Sequence, residues 1–115
     1  MKITPENYVE FNEVTLLTNF QEKVGDWSNV TFPTSNDKSR IEHMREEVEE
    51  LALAPGDPYE AADIFLLLLH HAYVNGYDLM AAANKKFEII KKRKWQKPDE
   101  KGVVRHVKEQ SFLHE

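Results

Sequence analysis

The chain has 115 residues, 41% of them hydrophobic and 30% charged, with a net charge of -5 and no cysteine. That size predicts one domain with a modest core, and the lack of cysteine excludes a disulfide framework, a thiolate zinc site and a cysteine nucleophile. The acidic balance argues against broad binding to a nucleic-acid polymer.

The N-terminal stretch MKITPENYVEFNEV has no long apolar run of the secretory kind. The longest apolar run, Ile64 to Leu69, is too short to cross a bilayer. A cytoplasmic protein with no membrane partner is therefore expected. Four helices fit the pattern. The first is expected from Pro5, with Thr4 as its cap, to Val24, where Gly25 stops it. DWSNVTFPTSN then reads as a loop carrying Trp27 and Phe32. The second helix is expected over Asp37–Leu53, with Ile41, Met44, Val48 and Leu51 as its apolar stripe.

APGDP breaks the chain. Asp57 suits an N-cap and Pro58 the first helical position, so a third helix is expected to Asn75, with Gly76 as its stop. Asp78 then caps a fourth helix reaching Trp95, and Pro98 and Gly102 open the tail. The third helix is apolar nearly all round below its first turn. Such a helix needs burial on most sides, and few helices are available to bury it. The expected architecture is an all-α four-helix bundle that forms a homo-oligomer, dimer or tetramer.

The segment EEVEELALAPGDPYEAAD, Glu46 to Asp63, concentrates acids around one turn. Glu47 with Glu50, and Glu60 with Asp63, are each three residues apart and share a helical face. A short turn folds the two helices into an antiparallel hairpin, which sets the two pairs at matching heights. Asp63 shares its face with Leu67, His70 and Val74 and should point inward. Four converging carboxylates cannot all stay ionised without a counter-charge. A hard divalent cation supplies it, Mg²⁺ or Mn²⁺ in its place. Two plainer accounts compete. A solvated face explains the glutamates of REEVEE, and a capping box with Asp57 explains Glu60.

The basic residues gather in NKKFEIIKKRKWQK, Asn84 to Lys97, a strip that suits a small polyanion. Lys86, Ile90 and Arg93 are spaced to share one helical face. Lys91, Lys92 and Lys94 are accounted for by the negative end of the helix dipole. Trp27 and Phe32 could stack on a base or pack over the bundle end. His70 reads as a buried, hydrogen-bonded histidine.

E-x-x-E followed by E-x-x-D resembles the metal signature of the all-α, MazG-like nucleoside triphosphate pyrophosphohydrolases. Glu47, Glu50, Glu60 and Asp63 occupy it here, with nine residues between Glu50 and Glu60. That short spacer, with QEKVGDWSNVTFP, HMREEVEEL, PGDPYEAADIFLLLL, NGYD, KFEIIKKRKW and GVVRHVK in order, is similar to the compact phage dATP/dGTP diphosphohydrolase branch, over about residues 21–108 of a single domain. The resemblance implies hydrolysis of a nucleoside triphosphate, a purine deoxynucleotide, to monophosphate and pyrophosphate. It makes Glu47, Glu50, Glu60 and Asp63 the metal ligands and Lys86 and Arg93 the phosphate contacts. Glu46 would bind a second metal or orient water, and Glu46 or Glu47 would take the water's proton. Ile90 departs from the asparagine common in the family, and His70 and His71 from an acidic or small polar residue. A non-catalytic helical binding module and a housecleaning activity on modified nucleotides are the rival functions.

Overall fold

The structure, a computed structural model, describes residues 13–108. Four α-helices follow in order: α1 Glu13–Thr31, α2 Asp37–Leu53, α3 Pro58–Asn75 and α4 Leu79–Lys91. The expected all-α architecture is observed. Thr4 and Pro5, expected to start α1, lie outside the described residues. None of the described helices is long and apolar enough to cross a membrane. The chain divides into two compact units, one ending at Ala82 and the other starting at Ala83.

α1 corrects the expected boundary. It runs through Gly25 to Thr31, so Gly25 is no stop and Trp27 lies on the helix rather than in a loop. The glycine serves a close approach. A Cβ built on it would overlap the Tyr73 ring, with Cδ1 at 2.6 Å. The true connection is Phe32 to Asn36.

α2 begins where the sequence placed it. Asn36 caps it by accepting from the Ser39 N–H (2.9 Å), and the Ser39 hydroxyl accepts in return from the Asn36 N–H (3.0 Å). The tight turn that follows is closed by the Asp57 N–H bonded to the Ala54 carbonyl (3.0 Å). At the start of α3 the Asp57 carboxylate accepts from the Tyr59 N–H (2.8 Å), with Pro58 at the first position. Gly76 ends it in the left-handed region, φ 77°, where a side chain would be strained.

α3 is the central helix of the first unit, and α1 and α2 each pack on it. On the α2 side, Asp37 bonds Asn75 (2.9 Å) and Arg40 reaches His71 (3.4 Å), while Glu47 approaches Asp63. Rising numbers on one helix meet falling numbers on the other, which is the antiparallel register a short turn imposes. On the α1 side, Asn29 meets His70, Asp26 meets Tyr73, and Gln21 bonds both the Tyr77 carbonyl and the Leu79 N–H. The Asp78 carboxylate caps α4 through the Ala81 N–H (2.9 Å) and also accepts from the Thr18 hydroxyl. Those two donors hold its carboxyl below the usual range.

Leu69 and Ala72 are the fully buried apolar residues described, both on α3. Phe65, Leu66 and Val74 of the same helix stay more than a third exposed. Val74 and Asp63, both expected to point inward, are instead exposed, although Asp63 still lines a cavity.

The second unit corrects the end of α4, which stops at Lys91 rather than Trp95. Trp95 instead forms an antiparallel bridge to His106. The Gln96 N–H bonds the Arg105 carbonyl (2.7 Å) and the Val107 N–H the Lys94 carbonyl (2.7 Å). Asp99 closes this hairpin-like tail by accepting from the Lys101 and Val103 N–H groups and from Arg105. Arg93 thus lies past the helix and does not share a helical face with Lys86 and Ile90, as the spacing had suggested.

Candidate functional site

Residues 40, 43 and 47 of α2 are three and seven apart, so they share one face of that helix. That face looks into a cavity of about 780 Å³. α3 contributes Asp63, Leu67 and His70 to its lining, and α1 contributes Trp27 and Ser28. The α1–α2 connection adds Phe32 and Ser35. Trp27 and Phe32 meet edge to face, centroids 5.5 Å apart.

Acids gather on this cavity and at its rim. Glu47, Glu60 and Asp63 each offer an oxygen within 4.8 Å of the others. Glu50 stands close enough to both Glu47 and Glu60 for its charge to bear on them. The local fold explains the convergence, because the antiparallel turn places the last two turns of α2 beside the first two of α3. Burial pushes the Glu47 carboxyl up, and the neighbouring Glu50 and Asp63 carboxylates add to it. Burial and Glu50 do the same to Glu60. His43 Nε2 sits 3.1 Å from Glu47 Oε1.

The capping-box account of Glu60 does not hold. That arrangement needs Glu60 to accept from the Asp57 N–H, and this N–H bonds Ala54 instead. Oε2 of Glu60 and Oε2 of Glu47 are both buried with no hydrogen-bond partner. A buried, unpartnered carboxylate oxygen is costly. Two of them facing like charges suit a hard cation with oxygen ligands.

The matching family model is that of the dATP/dGTP pyrophosphohydrolases, over residues 20–112. The chain belongs to this family. It is 32% identical over 92 residues to a dATP/dGTP diphosphohydrolase of Salmonella phage PMBT28. That match covers 79% of this chain and 31% of the relative, so the chain spans about a third of that protein's length. A dATP/dGTP diphosphohydrolase of cyanophage S-2L is 30% identical over 89 residues, covering 76% of this chain and 84% of that one. Among solved structures, the cyanophage S-2L MazG-like pyrophosphohydrolase, bound to dGDP and three catalytic Mn²⁺ ions per active site, is similar with a TM-score of 0.69. It is 29% identical, and the match covers 84% of this chain and 99% of that one. The fold of this dATP/dGTP pyrophosphohydrolase family member is thus of the MazG-like all-α type.

The other expected site residues fall in different places. Glu46 is exposed and lines a separate groove on α2 with Ile41, Arg45 and Val48. Lys86 lies on α4 and Arg93 just beyond it, both in the second unit. Sequence reasoning passed over Arg40, which is only 2% exposed. It precedes Glu47 by two helical turns on α2, but nothing local in the sequence marks it as buried.

The acid cluster makes stability depend on pH and metal in a defined direction. Glu47 and Glu60 have folded pKa values above the ordinary 4.5. Their protonation stabilises the metal-free fold fully below that value, and the contribution is lost as pH rises through the folded pKa values. Metal binding opposes the loss, because it needs the ionised form. At pH 7, Mn²⁺ at about a hundred times its Kd should add ~2.7 kcal/mol, and the increment should shrink toward pH 5. Melting curves with Mn²⁺ and with EDTA across that range check it. A metal increment that ignores pH would remove the carboxylates from the site.

Proposed function

We propose that the chain is a divalent-metal-dependent hydrolase of purine deoxynucleoside triphosphates that releases the deoxynucleoside monophosphate and pyrophosphate. The observation that carries this is the gathering of Glu47, Glu60 and Asp63, joined by Glu50, at a cavity walled by aromatic and polar groups. Membership of the dATP/dGTP pyrophosphohydrolase family supports it, as do the dGDP and Mn²⁺ ions of the cyanophage structure. One family match runs over residues 20–112, through both compact units, which supports a single functional domain.

Glu47, Glu50, Glu60 and Asp63 are the proposed ligands of Mg²⁺ or Mn²⁺. When bound, the cation neutralises phosphate charge and lowers the pKa of coordinated water. Of the two candidate proton acceptors, Glu47 lines the cavity while Glu46 faces the other groove, so the proton role goes to Glu47. His43 steadies that carboxylate by its 3.1 Å contact. Trp27 and Phe32 stand where a base can stack, and stacking of this kind contributes about 1–3 kcal/mol per base. Lys86 and Arg93 take the phosphate-contact role on the resemblance.

The protein is also proposed to be a homo-oligomer. Val30, Leu53 and Tyr59 are at least four-fifths exposed, and Phe65 and Val74 of the apolar α3 are partly so. Exposed apolar side chains of this size are a surface that a second copy of the chain can cover. A cytoplasmic site of action is proposed with it, because that is where nucleoside triphosphates are made and used.

One preparation tests both statements. Light scattering should give a mass at least twice that of the chain. The same sample, given each dNTP and NTP with Mg²⁺ or Mn²⁺, should release pyrophosphate from the purine deoxynucleotides and none with EDTA. Orthophosphate release, or no turnover of any nucleotide, would sink the activity; a monomeric mass would sink the assembly.

A further inference from the structure

The cavity holds a cation that the metal chemistry does not use. Arg40 is 2% exposed and lines the same cavity as Glu47 and Asp63. Its partners account for part of the guanidinium only. Nη1 donates to the Ser35 hydroxyl (3.2 Å), Nη2 to the Asp37 carboxylate, and Nε weakly to His71 Nδ1 (3.4 Å). Arginine has five N–H donors, so one hydrogen on each Nη remains unassigned. The single carboxylate it pairs with is 58% exposed and shared with Asn75. His70, beside it in the lining, spends Nε2 on Asn29 (2.9 Å).

Position along α2 says what such a group can meet. Arg40 and Glu47 share a face and are separated by ~10.5 Å of helix rise. That separation puts Arg40 well away from the acids along the same cavity wall. The stacked-base position offered by Trp27 and Phe32 belongs to the same lining. Arg40 is a donor with no acceptor. Guanine presents two acceptors, O6 and N7, on the edge where adenine presents one acceptor and an amino donor.

We infer that Arg40 reads the base: its two spare N–H groups select a 6-oxopurine, guanine or hypoxanthine, over a 6-aminopurine. The inference rests on the proposed function for the orientation of the nucleotide, with phosphates at the acids. Arg40 is then a specificity residue, held in place by Ser35 and Asp37, and it has no part in the bond cleavage.

The test compares kcat/KM for dGTP, dITP, dATP and 7-deaza-dGTP, in the wild-type chain and in Arg40→Gln. A good bidentate arginine–guanine pair discriminates by roughly ten- to a hundredfold. The wild-type chain should prefer dGTP and dITP over dATP by about that factor, and 7-deaza-dGTP, which lacks the N7 acceptor, should be penalised. In Arg40→Gln the dGTP-to-dATP ratio should fall toward one and the 7-deaza penalty should vanish. A structural role alone would weaken all substrates equally and leave the ratio intact, which overturns the inference. Should Arg40→Gln fail to fold, the wild-type comparison decides: equal values for dGTP, 7-deaza-dGTP and dATP overturn it. Should no nucleotide be turned over, the proposed function fails separately. Calorimetric Kd values for dGMP and dAMP in Mn²⁺ then supply the ratio: tighter dGMP binding supports base reading by Arg40, and equal binding overturns it.

Discussion

Asp63→Asn is expected to cut pyrophosphate release on the order of a thousandfold while leaving the metal-free chain at least as stable as the parent. The two halves have one cause. Asp63 is part of a carboxylate group in which each oxygen lies within 4.8 Å of the others. Its charge is among the factors that push the Glu47 and Glu60 carboxyls up. Removing it relieves repulsion in the metal-free state, so melting in EDTA should move up or stay level. Asparagine keeps the size and one carbonyl oxygen but loses a negative charge that helps balance a divalent cation. Loss of an outer-shell partner already costs about 10–100-fold in metal affinity, and loss of a ligand should cost at least that. Turnover should fall on the order of 10³-fold, the rate equivalent of ~4 kcal/mol of transition-state stabilisation. The increment that Mn²⁺ adds to the melting temperature should disappear with it. Retained turnover with an unchanged metal requirement would exclude Asp63 from the site, and a large drop in metal-free stability would make it a structural residue.

The acid cluster was legible in sequence because everything that builds it is local. Asp57, Pro58 and Gly76 are cap and stop residues whose signals act within a few positions, and Asn36, which reads in sequence only as part of a loop, caps α2. They fix α2 and α3, and a short turn between two helices leaves one register. The i,i+3 acid pairs then meet by geometry. What sequence could not show depends on distant partners. Gly25 looked like a helix stop, since glycine serves helix ends and close contacts alike, and Tyr73 lies far along the chain. The basic run around Lys94 continues a helical pattern, yet pairing of Trp95 with His106 takes that segment out of the helix. Arg93 left the helical face for the same reason. Arg40 lay unnoticed because an arginine beside REEVEE reads as one more surface charge. Only the packing of α2 on α3, through Asp37, Asn75 and His71, shows it buried.

Gly25→Ala should destabilise the fold, although alanine is the better helix former. Within a helix the substitution gains about 1 kcal/mol from propensity. Against this stands the Tyr73 ring, whose Cγ and both Cδ atoms occupy the space of the new methyl. These are the atoms nearest the Tyr73 backbone, so a small swing of the side chain does not clear them. Either α1 moves away from α3, or Tyr73 changes rotamer and gives up its 2.5 Å bond to Asp26. Overpacking of this kind costs about 1–3 kcal/mol and occasionally more, and overlap at the root of a ring belongs at the upper end. The net is about 2 kcal/mol of destabilisation, or on the order of 8 °C in melting temperature for a chain of this length. The decisive comparison is the same change in a Tyr73→Ala background. There the obstacle is gone and Gly25→Ala should stabilise, so the sign reverses. Tyr73→Phe keeps the ring and loses only the bond to Asp26, so in that background the substitution should remain harmful. A neutral or stabilising Gly25→Ala in the parent chain would contradict the close packing of α1 on α3. The packing also reaches the site, since α1 carries Trp27 and Ser28 into the cavity wall just past Gly25. A displaced α1 loosens that wall without touching the carboxylates. In the surviving folded Gly25→Ala protein KM should therefore rise while the metal requirement stays as it was.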